Sequence, residues 1–209
     1  MPGIFGFFGN LGNRKPVALL ETMSHALKDE AWYHVQTYQN GNIGLGRITL
    51  GIGNLEPQPI WNAQQTVCIV MEGEIYNAQD LRAELLKRDN QPLGASDAEL
   101  ILNLYEQIGE DFAKNLNGAF VLAIWDRLAH KLVVANDRLG LHPLFYHFRN
   151  GFLIFASGVR GLLADPAMPR VIDQVAMAQF LTFQHVLGDR TYLEDVRLLP
   201  GASLLIFWD

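Results

Sequence analysis

A chain of 209 residues that is 49% apolar and 18% charged has the make-up of a folded domain with a full core. Its formal net charge of −6 argues against nucleic acid or an anionic membrane surface as the main partner, because neither attracts an acidic protein. No apolar run approaches the roughly 20 residues needed to span a bilayer, IFGFFG is too short for a signal-peptide core, and the single cysteine, Cys68, excludes an internal disulfide and fits a reducing, cytoplasmic setting.

The elements come in this order. IFGFF at 4–8 predicts a strand that begins almost at the first residue. Pro16 opens a helix that runs to about Leu27, a good place for a residue without an N–H. Residues 31–38 and 42–50 predict a hairpin around Asn40-Gly41. Residues 52–65, with Pro57 and Pro59, read as loop. VCIVMEGEIY at 67–76 predicts a strand, and Asn77 the cap of the helix after it. Ser96 caps a second helix, with Leu100, Ile101, Leu104 and Ile108 on one face. A short helix ends near Asn117-Gly118.

Four β-like runs follow, at 119–126, 131–137, 143–148 and 152–157, with short turns between them; they predict an antiparallel meander. Residues 172–183 predict a helix capped by Asp173, and LLPGASLLIFW one closing strand. Trp32, Trp61, Trp125 and Trp208 are expected as core anchors. Two sheets with helices on their outer faces bury all these surfaces most simply.

Four stretches together resemble one family. MEGEIYNAQDLRAELLKR resembles the Asn-Gly-Glu-Ile-Tyr-Asn block of asparagine synthetases, and SDAELILNLYEQIGEDFAKNLNGAFVLAIWD the helix and strand that follow it. NDRLGLHPLFYH resembles their Arg-Asp-x-Leu-Gly turn, in which Asp137-Arg138 reads as structural. VIDQVAMAQFLTFQHVLGDRTYLEDVRLLPGASL resembles their closing helix and Leu-Pro-Pro-Gly tail. The order is kept from residue 1 to about 209. The chain is similar to the N-terminal glutaminase domain of that family, a class II glutamine amidotransferase.

The resemblance implies the N-terminal nucleophile hydrolase fold, an α+β sandwich of four layers, αββα, with two mainly antiparallel sheets. It implies a single domain over 1–209, without the ATP-dependent synthetase domain. In the family, residue two is a cysteine exposed by Met removal; its thiolate attacks the glutamine amide, and its own amino group is the base. Arg47 matches the arginine that holds the α-carboxylate of glutamine, and Asp97 the aspartate that takes the α-amino group. Gly73 and Glu74 match contacts beside the substrate. Without the resemblance, the plainer reading is that Arg47 ends a strand on the surface and that Asp97 serves the Ser96-capped helix start, where a carboxylate suits the dipole.

The chemistry residues depart from the pattern. Position two is Pro2, with no side-chain nucleophile. Cys68 lies mid-strand and cannot stand in. The family asparagine that donates to the oxyanion, beside Gly73, is Glu72 here; an ionised carboxylate cannot donate and repels negative charge. The family Arg-Gly-Pro-Asp segment is missing from SHALKDEAWYH.

No catalytic set is therefore intact, and the expectation is a degenerate domain with a structural or interaction role. Two alternatives stand beside it. One is an amino-acid sensor that uses Arg47 and Asp97. The other is glutaminase or other N-terminal-residue chemistry, with Pro2 as a secondary amine beside Glu72 and Glu74. The partners expected are an ATP-dependent synthetase domain or subunit, a free amino acid, or a second copy in a homodimer. No cofactor is called for. The six histidines, among them His34 and His147 in strand-like runs, have no metal-ligand spacing.

Overall fold

The computed structural model describes residues 2–208 apart from 53, 55 and 89–93; positions 53 and 55 of the expected loop thus lie outside the described residues. Strand β1 (Gly3–Gly9) is buried throughout. Helix α1 (Pro16–Leu27) starts at its proline, as expected. β2 (His34–Asn40) and β3 (Ile43–Thr49) form the hairpin, with the first strand starting at His34 rather than residue 31. The loop contains a short strand, β4 (Ile60–Trp61), beside β5 (Val67–Ile75).

Next come helices α2 (Ala78–Arg88) and α3 (Asp97–Ile108), a 3-10 turn at Gly109–Asp111 and α4 (Phe112–Asn115). β6 (Gly118–Asp126), β7 (Lys131–Asn136), β8 (Phe145–Arg149) and β9 (Phe152–Ala156) follow. The chain closes with α5 (Val159–Leu163), α6 (Gln174–Phe183), β10 (Arg197–Leu198) and β11 (Leu204–Trp208).

One sheet has the order β10-β8-β9-β1-β3-β2 and the other β11-β7-β6-β5-β4, with antiparallel neighbours throughout. Side chains alternate along a strand. Ile4 and Phe8 of β1 therefore face the second sheet, where they meet Val70, Val121, Ala123 and Val134. Phe5 and Phe7 face outward onto Leu19, Leu20 and Met23 of α1. A strand covered on both faces needs apolar residues at every position, which is why IFGFF shows no alternation. Gly44 and Gly46 of β3 leave room for the Phe7 and Phe5 rings; a Cβ at Gly46 would stand 2.2 Å from Phe5. The outer face of the second sheet carries α2 and α3, through Leu81, Leu85, Leu100, Ile101 and Leu104. The αββα sandwich is thus the fold observed.

Several local expectations are corrected. The four runs from 119 to 157 are not one meander: β6-β7 lies in one sheet and β8-β9 in the other. The crossover starts at Asp137, whose buried carboxylate accepts N–H bonds from Phe120, Leu139 and Leu141. The closing run likewise splits into β10 and β11, which belong to different sheets. Trp125 is core and Trp61 packs at its edge, but Trp32 and Trp208 are 57% and 64% exposed. Among the described residues the Asn77 side chain bonds outside its own helix: its Oδ1 accepts from the Asn117 N–H and its Nδ2 donates to the Asn115 carbonyl. α5 carries no strong start signal and was not expected.

Candidate functional site

Arg47 shares its face of β3 with Ile43 and Leu45, so it points toward the second sheet. Glu72 shares its face of β5 with Cys68 and Val70, so it points back. The two meet where the apolar layer ends. Arg47 Nε donates to Glu72 Oε2 at 2.8 Å, and Arg47 is only 1% exposed. Its Nη2 donates to Thr49 Oγ1 at 3.2 Å and to the Asn54 carbonyl at 2.9 Å. Its Nη1 is buried and has no hydrogen-bond partner among the described residues. The plainer reading of Arg47 as a strand end on the surface is thereby overturned: a guanidinium held at this depth requires a counter-charge, and Glu72 supplies it.

Asn54 ties these groups to the rest of the site. Its Nδ2 donates to the Gly73 carbonyl at 2.8 Å, and its Oδ1 accepts from the Asp97 N–H at 3.3 Å. Gly73 has φ +111, and a Cβ there would stand 2.0 Å from the Ala119 carbonyl oxygen, so glycine is required. Asp97 opens α3, where Ser96 and Glu99 form a reciprocal capping box. The Asp97 carboxylate accepts from the Ile75 N–H at 2.9 Å, and Arg82 stands 3.8 Å away. Asp97 thus holds the end of β5 against α3 as well as serving its helix start.

The structure therefore gathers Arg47, Glu72, Gly73 and Asp97 into one hydrogen-bonded set. Glu74 is exposed and forms a wall shared by two cavities. One cavity, of about 270 Å³, is lined by Arg47, Glu72, Glu74, Tyr76 and His142 among others. The other, of about 360 Å³, is lined by Asn54, Glu56, Glu74 and Asp97 among others. Pro2 is half-buried just before β1, and Ile4, two residues on, is the register partner of Arg47.

Cys68 is fully buried in mid-strand, and burial pushes its thiol up to about 12, partly offset by a backbone hydrogen bond at Trp125. Such a thiol is not a ready nucleophile. Among the described residues, no three His, Cys, Asp or Glu side chains stand together as metal ligands. His147 is buried, with its Nδ1 3.0 Å from the Asp195 carbonyl oxygen, whereas His34 is exposed.

The sequence reading missed Asn54 and Thr49. Asn54 sits in a Pro-rich loop, where an asparagine normally signals a turn, and its partners lie 19 and 43 positions away. No local signal could have found it.

Comparison with known proteins adds the following. A family model described as a glutamine amidotransferase domain matches residues 1–209. The chain is 33% identical over 154 residues to asparagine synthetase [glutamine-hydrolyzing] 2 of Bacillus subtilis, covering 73% of this chain and 20% of that protein. It is 35% identical over 127 residues to asparagine synthetase [glutamine-hydrolyzing] 3 of the same organism, covering 61% and 21%. The chain thus spans about a fifth of these relatives. Among solved structures, glutamine phosphoribosylpyrophosphate amidotransferase from B. subtilis matches with a TM-score of 0.63 at 14% identity, covering 99% of this chain and 49% of that one, which shows a shared fold.

Proposed function

The chain belongs to the glutamine amidotransferase domain family, and from that premise we propose that it is a glutaminase-like domain that does not hydrolyse glutamine and has a structural or interaction role. The observation that carries this reading is Glu72. At the place where an oxyanion donor is needed, beside Gly73, stands a carboxyl group whose Oε2 accepts from Arg47, and an ionised carboxylate cannot donate. Loss of one oxyanion donor alone costs about 100–1,000-fold in rate. Pro2 supports the reading, since it offers no side-chain nucleophile before β1.

The partner that fits is an ATP-dependent synthetase domain or subunit, because the relatives are synthetases about five times longer than the matched segment. The surface around α6 supports an interaction role. Only Ala176 of that helix is buried, while Val175, Phe180, Leu181 and Phe183 are exposed. A cytoplasmic setting belongs to the same reading and fits the lone reduced cysteine. Incubation with L-glutamine, followed by enzymatic assay of L-glutamate, tests the central point. No glutamate above the buffer blank is expected; steady catalytic release would overturn the reading.

A further inference from the structure

The 270 Å³ cavity has one arginine on its wall, Arg47, and two carboxylates, Glu72 and Glu74. The adjoining cavity adds Glu56 and Asp97. Arg47 is already engaged: Nε by Glu72, and Nη2 by Thr49 and the Asn54 carbonyl. A ligand carboxylate entering the cleft would have to compete with the Glu72 carboxylate for the same guanidinium. It would also approach Glu74 on the same cavity wall. Coulomb repulsion from Glu72 is strong because that carboxylate is buried, whereas Glu74 is exposed and its charge is screened by solvent. What Arg47 still offers is Nη1, whose two N–H donors have no partner among the described residues.

We propose that Glu72 is the specificity-determining residue of this cleft: its carboxylate takes the place on Arg47 that a ligand carboxylate would need, and so closes the cleft to free amino acids and other carboxylates. This deepens the reading above, which says only that glutamine is not hydrolysed, by naming what keeps it out. Nη1 remains able to donate to a neutral acceptor, so the repulsion is directed at charge rather than at size. The mechanism is exclusion by an unfavourable element, which needs no change of cavity shape.

Two variants test it, Glu72→Ala, which removes the carboxylate, and Glu72→Gln, which keeps its shape and removes its charge. Thermal melting is followed at pH 8 against L-glutamine, sodium acetate and ionic-strength-matched sodium chloride. The native protein is expected to show no saturable shift with either carboxylate. Both variants are expected to show one, with half-saturation at least about tenfold lower than any native response. Adding Arg47→Met to Glu72→Ala is expected to abolish the shift. If Glu72→Ala is unfolded at rest, carboxylates are expected to restore its circular dichroism. Saturable binding of glutamine by the native protein would overturn this inference while leaving the absence of hydrolysis intact. So would folded variants that respond to chloride as strongly as to acetate, or not at all.

Discussion

Asn54 has the widest reach of any single side chain at the site. It bonds the Gly73 carbonyl through Nδ2 and the Asp97 N–H through Oδ1, while its own carbonyl accepts from Arg47. Asn54→Ala removes the two side-chain bonds and leaves the Arg47 contact, which is to backbone. We expect a loss of about 1–3 kcal/mol in urea unfolding, since two half-buried hydrogen bonds are lost at about 0.5–1.5 kcal/mol each. A change below about 0.5 kcal/mol would show that water replaces both bonds. Arg47, Gly73 and Asp97 were legible as a group only through family resemblance, and Glu72 only as a departure from it. That Arg47 and Glu72 pair with each other could not be read from the sequence, because the two residues stand on different sheets 25 positions apart.

At the level of elements, the caps show where local chemistry suffices. Ser96 and Asp173 both start helices as their sequence context predicts, because a cap needs only partners two or three residues away. The Asp173 carboxylate is held below the usual range, above all by the Ala176 N–H, with Arg190 and the Val175 N–H adding to that and burial opposing it. A depressed carboxylate stabilises the fold above its unfolded value of about 3.9, and that stability disappears as pH falls through the lower folded value. Asp173→Ala is therefore expected to lose about 1 kcal/mol at pH 7 in denaturant titrations. The gap to the native protein should narrow below pH ~4. A gap that stays constant into acid would mean that the charge contributes nothing. Asn77 is the contrasting case: its context signals a cap, but a loop nearly forty positions away claims its side chain.

At the scale of the whole molecule, exposed apolar surface gathers around α6. Leu181 and Phe183 are 77% and 61% exposed, and neither holds the fold in place. Leu181→Asp combined with Phe183→Ser is expected to leave unfolding free energy within about 0.5 kcal/mol and to lower light scattering at high concentration. A large loss of stability would mean that the two side chains support the domain itself. The split of the supposed meander belongs to this scale too. Each hairpin was legible from its turn, yet the sheet each would join depended on the crossover held by Asp137. By itself the sequence determined most of the strands and helices, the Ser96 and Asp173 caps and the two-sheet family fold, because each of these is written in neighbouring residues or an ordered set of motifs. Only the tertiary structure decided which hairpin lies in which sheet, that Trp32 and Trp208 stay outside, and that Glu72 occupies Arg47, because those outcomes depend on contacts between residues that the chain brings together only when both sheets have packed.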